Sequence, residues 1–207
     1  MTRPGVVGWP VLVCSLLAAV APAPPAAAQP AGNATRGGEL FAAKDCARCH
    51  RPRGEPGAGP PLEDVRRPQG GFELAGRLWN HAPAMFATFG REGLPWPRIS
   101  PAEMADLMAQ LEAEPGRDPA PDLLKGEAIL VRKGCLKCHR WRGEGGRIGP
   151  DLGQRRPVYD SAVAWAAAMW VHTPTMAAKA RELGILYPRF AEHELGNLVG
   201  YLRSVAR

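Results

Sequence analysis

A five-residue motif that occurs twice constrains this chain more than any other feature. Residues 46–50 are Cys-Ala-Arg-Cys-His, and the same Cys-x-x-Cys-His pattern returns 89 positions later at residues 135–139. Downstream, residues 78–112 align without gaps onto residues 169–203, and 11 of these 35 positions are identical. A repeat of this length predicts two copies of one structural unit. The chain has 207 residues, which is enough for two small units and more than one minimal domain requires.

The repeat also sets the expected domain boundaries, with a first domain at residues 29–116 and a second at residues 117–207. Residues 1–28 precede both, and they combine Arg3, an apolar run of about ten residues and three alanines at 26–28. This pattern is typical of a secretory signal peptide. The apolar run is about half as long as a membrane-spanning helix, which needs about 20 residues. We therefore expect an exported chain without a stable transmembrane segment after cleavage, and an uncleaved membrane anchor is the alternative.

Both copies have the periodicity of amphipathic helices. The apolar stripe near the end of each copy consists of Met104, Leu107, Met108 and Leu111 in the first and of Leu195, Leu198, Val199 and Leu202 in the second. Ser100 and Glu103 form a capping-box pattern, which predicts that the first of these helices begins there. Further helices are expected at residues 38–44, 72–79, 123–133 and 161–170. No alternating run is long enough to predict a sheet, so the expected fold class is all-α.

A linker rich in proline joins the two copies. Residues 114–121 contain three prolines, a composition that favours an extended and fairly stiff connection. Such a linker should limit the relative orientation of the two domains without fixing it.

The Cys-x-x-Cys-His pattern is the attachment signature of c-type haem. Each thiol adds to one vinyl group of the porphyrin, and the distance between the vinyl groups requires a helical turn between the two sulfurs. The adjacent histidine then gives the iron its proximal nitrogen. We therefore predict two covalently bound haem c groups, held by Cys46, Cys49 and His50 and by Cys135, Cys138 and His139.

Two other uses of paired cysteines explain the pattern less well. A zinc ribbon separates its cysteine pairs by about 15–20 residues, whereas 85 residues lie between Cys49 and Cys135. A dithiol redox pair usually lies at a βαβ unit, and the sequence predicts none. Zinc also leaves the two histidines without a role.

Each half resembles a class I c-type cytochrome, and the whole is similar to the tandem dihaem cytochromes c that carry electrons in the bacterial periplasm. The resemblance covers residues 33–207 and implies two tandem cytochrome c-like helical domains, each wrapped around a covalently attached haem. In this family a Gly-Pro pair places a proline carbonyl where it accepts a hydrogen bond from the proximal histidine. That role would fall to Pro60 for His50 and to Pro150 for His139.

The resemblance also implies a distal methionine in a loop, often beside a proline. Met85 and Met176 fit, since they follow their proximal histidines by 35 and 37 residues and both recur in the alignment. Methionine is also a common filler of cores. Met104 and Met108 illustrate that use, because their aligned counterparts are Leu and Val.

Two histidines are the alternative distal ligands. His81 and His172 lie four positions before Met85 and Met176, and they recur just as the methionines do. A histidine that ends the third helix and bonds to a carbonyl or a haem propionate would have the same spacing. The choice affects function, because Met/His ligation raises the potential relative to two nitrogens.

A second recurring pair suggests contacts to the haem propionates. Trp96 and Arg98 correspond to Tyr187 and Arg189, so each copy offers an aromatic hydrogen-bond donor and an arginine. Buried or half-buried propionates are anions that accept from such donors. A capped loop with a solvated arginine would show the same pattern.

These observations favour electron transfer over catalysis, because an iron with both axial positions occupied has no open site for a substrate. The expected function is a dihaem c-type cytochrome that passes single electrons between periplasmic or membrane redox partners. One alternative is the electron-transfer subunit of a larger dehydrogenase complex, associated with the membrane through that partner. Another is a dihaem enzyme, peroxidase-like or oxidising a small sulfur compound, with one displaceable axial ligand.

Charge suggests where a redox partner docks. The overall charge of +6 is spread along the chain and does not argue for nucleic acid. Residues 29–116 carry a net charge of −1, whereas residues 117–207 carry +6. The cations that flank the second motif are Arg132, Lys133, Lys137, Arg140 and Arg142. We therefore expect an acidic partner that docks on the C-terminal domain.

Overall fold

The computed structural model describes residues 32–206, so the predicted signal peptide lies outside the described residues. The α-helices in this range are α1 (Ala34–Ala43), α2 (Cys46–Cys49), α3 (Leu62–Val65), α4 (Gly71–Arg91), α5 (Pro101–Gln110), α6 (Leu123–Arg132), α7 (Ala162–Glu182) and α8 (Glu194–Val205). Short 3-10 helices lie at Pro115–Arg117, Cys135–Lys137, Leu152–Gln154 and Arg156–Tyr159. The fold is mostly helical, which confirms the helical part of the predicted fold class. Between residues 32 and 206, no helix is both long and apolar enough to cross a membrane.

A two-stranded hairpin follows the second Cys-x-x-Cys-His motif. β1 (Arg140–Trp141) pairs antiparallel with β2 (Glu144–Gly145), and each strand has two residues. The turn residues Arg142 and Gly143 have φ of 54° and 90°, as tight hairpin turns require. Strands this short show no alternation, so the sequence did not predict them.

The predicted apolar stripes of the closing helices form the core. Their eight residues are all buried, and Met104, Leu195, Leu198, Val199 and Leu202 are each at most 2% exposed. Helix α5 begins as expected, because Ser100 and Glu103 form the complete capping box at its N-terminus. The stripes therefore bury the helical face that the periodicity assigned to the core.

The third helix of each half is much longer than predicted. Helices α4 and α7 each have 21 residues and run through Pro83 and Pro174. A proline inside a helix leaves the carbonyl four residues earlier without its N–H partner. In α7 this carbonyl belongs to Trp170, and the Trp96 indole N–H donates to it at 3.1 Å. A tertiary hydrogen bond thus satisfies the carbonyl and lets the helix continue.

These longer helices correct the expected surroundings of four site residues. Met85 and Met176 were expected in loops, but both lie inside helices, in α4 and α7. His81 and His172 likewise lie within these helices and not at a helix end. In each helix, the histidine and the methionine are therefore one turn apart on the same face.

Glycine allows the first and last helices of each half to cross closely. A Cβ added to Gly37 in α1 would lie closer than 3.0 Å to the carbonyl of Asp106 in α5. A Cβ added to Gly126 in α6 would make the same clash with the carbonyl of Asn197 in α8. Both halves thus use one glycine to bring two helix backbones into contact.

The two halves meet through reciprocal hydrogen bonds between aligned residues. The Trp79 indole N–H donates to the Pro188 carbonyl at 2.6 Å. The aligned Trp170 N–H donates to the Pro97 carbonyl at 2.8 Å. This exchange has the form of an isologous interface, in which each side contributes the same residues to the other.

Aromatic stacking accompanies these hydrogen bonds. Trp79 stacks on Tyr187 with ring centroids 4.9 Å apart, and Trp170 stacks on Trp96 at 4.2 Å. The linker is also anchored, because Asp118 accepts from the Phe72 backbone N–H at 3.0 Å. The relative orientation of the halves therefore depends on these contacts in addition to the linker.

The close helix crossings predict a large cost for adding one methyl group. Gly37→Ala and Gly126→Ala should each lower the free energy of unfolding by about 1–3 kcal/mol, because the helices must move apart. Gly90→Ala in α4 is the matched control, since its added Cβ meets no atom within 4 Å. The control should leave stability unchanged or raise it by up to about 1 kcal/mol. Urea denaturation measures all three variants, and equal stability of Gly37→Ala and Gly90→Ala would contradict the close crossing.

Candidate functional site

Each Cys-x-x-Cys segment forms a single helical turn. The first is α2, preceded by Asp45 at φ 62°, and the second is a 3-10 helix preceded by Gly134 at φ 72°. All four thiols are free of disulfides. Burial raises the pKa of the Cys46 and Cys135 thiols to about 11. Both therefore stay protonated near neutral pH, as expected for thiols that face an apolar space.

A backbone carbonyl orients the histidine that follows each turn. The His50 Nδ1–H donates to the Pro60 carbonyl at 3.0 Å, and the His139 Nδ1–H donates to the Pro150 carbonyl at 2.9 Å. With Nδ1 occupied as a donor, the lone pair of Nε2 is free on the other side of the ring. Such a bond fixes the tautomer and raises the basicity of a metal-binding histidine.

The glycine before each of these prolines is required by the same ring. A Cβ on Gly59 would lie 2.8 Å from the His50 Nδ1, and a Cβ on Gly149 would lie 2.5 Å from the His139 Nδ1. No side chain fits between the loop and the imidazole at this distance. Glycine is thus required because the loop lies so close to the imidazole, and the proline that follows provides the carbonyl that accepts the hydrogen bond.

A cavity of about 430 Å³ adjoins the first motif. Cys46, Cys49 and His50 lie along one side of it. Its apolar lining includes Phe41, Leu74, Leu78, Ile99, Leu107 and Met108. Small-molecule and cofactor sites are typically apolar clefts of about 300–1,000 Å³. The cavity therefore has the size and lining expected for a flat, largely apolar cofactor attached to the two cysteines.

Helix α4 also lines this cavity, and its His81 ring lies near the ring of His50. The ring centroids of His50 and His81 are 6.1 Å apart, with an angle of 57° between the ring planes. In the second half, His139 and His172 are 6.4 Å apart at 58°. Both halves thus place two imidazoles across the same gap at the same tilt.

The surroundings of the two helical histidines favour their neutral form by lowering their pKa. Partial burial lowers the pKa of His81 and of His172, and the proximal histidine of each half lowers it further. An arginine also contributes in each case, Arg189 at His81 and Arg155 at His172. Neutral imidazole is the form that donates a lone pair to a metal.

The second half helps to build the first cavity. Trp170 and Arg189 both line it, although each lies in the second copy of the repeat. The side chain of Arg189 is close enough to His81 to affect its pKa. The sequence suggested Arg189 as a propionate contact but did not show that it lies at the first cavity.

The other residues suggested for propionate contacts are placed differently. The Trp96 N–H already donates to the Trp170 carbonyl, and the Tyr187 hydroxyl lies 3.5 Å from the Thr173 hydroxyl. Arg98 is exposed, and its carbonyl accepts from a lysine. Trp96 and Tyr187 thus serve the contacts between the halves.

Two polar residues at the sites were missed by the sequence. Arg77 lines the first cavity, where it donates to the Gln69 side chain. Its position one turn before His81 on α4 was the available signal. Trp165 is 6% exposed, and within residues 32–206 its indole N–H has no hydrogen-bond acceptor. This buried, unpaired donor lies in α7, the helix that also carries His172.

The arrangement does not fit one zinc ion shared by the two motifs. Across the described residues, no group of three or more His, Cys, Asp or Glu side chains is placed to hold a metal ion. Each cysteine pair instead has its own adjacent histidine, His50 or His139.

The contact between Gly149 and His139 gives a sharp prediction. In Gly149→Ala the new methyl group must displace the imidazole and weaken its bond to the Pro150 carbonyl, so stability should fall by about 1–3 kcal/mol. Gly116→Ala is the control, because its added Cβ meets nothing within 4 Å. Urea denaturation together with the His139 Nδ1–H resonance in the NMR spectrum would measure both effects. An unchanged resonance in Gly149→Ala would show that the ring is not held as described.

Comparison with known proteins agrees with this geometry. Residues 34–113 match the family model described as Cytochrome c. That range includes the first motif, the Pro60 carbonyl, His81 and Met85, and it ends before the second motif. No match was found among curated proteins. The chain thus contains a cytochrome c domain at residues 34–113, which supports a c-type cytochrome with covalently bound haem and a haem-based role in electron transfer.

Proposed function

We propose that this chain is a dihaem c-type cytochrome that transfers single electrons between redox partner proteins. The observation that carries the proposal is the same constellation in both halves: two cysteines on one turn, a carbonyl-bound histidine and a second histidine across the gap. When bound, haem supplies an iron that gains and loses one electron. The residues of the chain attach the group, hold its metal and exclude water from its faces.

The cysteines provide the covalent attachment. Each S–H adds across one vinyl C=C of the porphyrin, which forms a thioether and leaves no by-product. Cys46 and Cys49 both line the first cavity, so both sulfurs are available on the side from which His50 approaches. Cys135 and Cys138 have the same relation to His139 in the sequence.

Features of the second half support a second haem domain at residues 117–207. The helix pair α6 and α8 crosses at Gly126 as α1 and α5 cross at Gly37. Ion pairs at aligned positions also recur, with Lys44–Glu103 at 2.8 Å and Lys133–Glu194 at 2.7 Å.

The interface between the halves supports electron passage between the two sites. Trp170 lines the first cavity and lies two residues before His172 on the same helix. Its ring stacks on Trp96 of the first half, so aromatic side chains of the two halves are in direct contact here. Electron passage through packed protein is favoured by continuous contact, and this region provides it.

The location and the partners are also part of the proposal. The leader-like pattern of residues 1–28 supports export to the periplasm. Around the second motif, Lys133 and Arg140 form ion pairs with Glu194 and Asp151. The cations Arg132, Lys137 and Arg142 are exposed, and they form no ion pair with another described residue. We propose that these three cations steer an acidic redox partner to the second half.

The count of haem groups is the first test of the proposal. Intact-mass spectrometry of the exported protein should show two covalently attached haems. Cys135→Ala combined with Cys138→Ala should remove one of them and leave the other. Cys46→Ala with Cys49→Ala is the matched variant for the first site. A single haem in the wild-type protein, or none, would contradict the proposal.

Partner docking can be tested by charge reversal. Lys137→Glu should slow reduction by an acidic flavoprotein by about three- to tenfold at low ionic strength. Arg48→Glu is the control, because Arg48 is equally exposed and occupies the aligned position of the first motif. Stopped-flow kinetics across a salt series would measure both variants. Rates that are independent of salt, or equally affected by both substitutions, would argue against docking on the second half.

A further inference from the structure

We propose that His81 and His172, and not Met85 and Met176, are the distal iron ligands, so that both haems have bis-histidine coordination. This inference rests on the proposed function and specifies its metal sites. It depends on the two histidine pairs, whose ring centroids are 6.1 and 6.4 Å apart.

These separations match what one metal between two imidazoles requires. An imidazole nitrogen lies about 1.2 Å from the ring centre, given C–N bonds of about 1.3 Å, and a metal–imidazole bond is about 2.0 Å. Two rings on opposite sides of one metal therefore have their centres about 6.4 Å apart. Both halves show this separation together with nearly the same angle between the ring planes, 57° and 58°.

The proximal ring is oriented for this arrangement. Because His50 Nδ1 donates to the Pro60 carbonyl, Nε2 lies on the opposite side of the ring. His139 is oriented in the same way by its hydrogen bond to the Pro150 carbonyl. Among the described residues, neither His81 nor His172 forms a side-chain hydrogen bond to another group, so their ring nitrogens are not committed to a carbonyl.

The position along α4 also favours the histidine. The side chains of α4 that line the first cavity recur at helical spacing and are Leu74, Arg77, Leu78, Asn80, His81, Ala84, Met85, Thr88 and Phe89. His81 lies near the middle of this stripe. Since a helix rises about 1.5 Å per residue, Met85 lies about 6 Å farther along the axis. Met85 lines the same cavity, but it lies one helical turn beyond the residue whose ring centroid is 6.1 Å from that of His50.

The two methionines have another role in the packing. Met85 and Met176 are partly buried and pack against the hydrophobic core. A flexible thioether fills irregular space well, and a proline two residues earlier in each helix reduces the regularity of the surrounding backbone. Their recurrence is thus explained by packing around the proline, without an iron bond.

The ligand set has a consequence for function. Coordination by two nitrogens gives a lower reduction potential than Met/His coordination. It also occupies both axial positions in both halves, which leaves no position for a substrate. The chain is therefore suited to exchange electrons with partners of low potential.

The test uses the full-length haem-loaded protein and four single variants. In the wild type, the ferric spectrum should lack the Met–iron charge-transfer absorption, and EPR should show low-spin bis-imidazole signals. Met85→Leu and Met176→Leu should keep these spectra, and the reduced proteins should not bind carbon monoxide. His81→Ala and His172→Ala should each let carbon monoxide bind half of the haem, and added imidazole should restore the low-spin signal.

The outcomes separate this inference from the proposed function. Met–iron absorption in the wild type, or carbon monoxide binding by a methionine variant, would overturn the ligand assignment while two covalent haems still supported the cytochrome. Failure to detect covalent haem would overturn the proposed function itself. If His81→Ala acquires the Met–iron absorption that the wild type lacks, His81 was the ligand and Met85 replaced it.

Discussion

The hydrogen bond from each proximal histidine to a proline carbonyl is the interaction on which the site depends. It orients His50 and His139 so that Nε2 lies on the side of the ring away from the carbonyl. The ring centroids of these histidines lie 6.1 and 6.4 Å from those of His81 and His172 on the long helices. Without this hydrogen bond the imidazole could rotate, and its Nε2 would have no fixed direction relative to the histidine on the long helix. Gly59 and Gly149 make the bond geometrically accessible, because any side chain there would meet the ring.

The rest of the fold keeps the long helix opposite the motif. In each half the first and last helices cross at a glycine, and the first helix contacts the turn that carries the cysteines. The long helices α4 and α7 then close the other side. Helices α4 and α7 also pack on each other, and each donates a tryptophan N–H to a proline carbonyl in the loop that follows the other helix. A small helical unit that surrounds a cavity has limited core of its own, and the shared interface adds buried aromatic surface to both halves.

Local signals in the sequence predicted the parts of the structure that depend on neighbouring residues. The closing helices, the capping box at Ser100 and the two Cys-x-x-Cys turns all follow from spacing within a few positions. The lengths of α4 and α7 did not, because a proline predicts a helix end unless a distant donor satisfies the freed carbonyl. For α7 that donor is Trp96, which lies 74 positions away from Trp170. The position of Arg189 at the first cavity was not predictable for the same reason. An alignment of the two copies shows which residues correspond, but it does not show which residues of one copy contact the other.

By itself, the sequence determined the attachment chemistry: two cysteines and a histidine at fixed spacing, repeated once, with Gly-Pro after each. It also offered His81 and Met85, and their counterparts His172 and Met176, as alternative ligands four positions apart. Only the tertiary structure placed both residues on one long helix, with the His81 ring centroid 6.1 Å from that of His50. Residues four positions apart on a helix are equivalent by periodicity, whereas their distance from His50 depends on how far α4 is displaced along its axis. That displacement depends on packing against α7 and α8, and no local pattern encodes it.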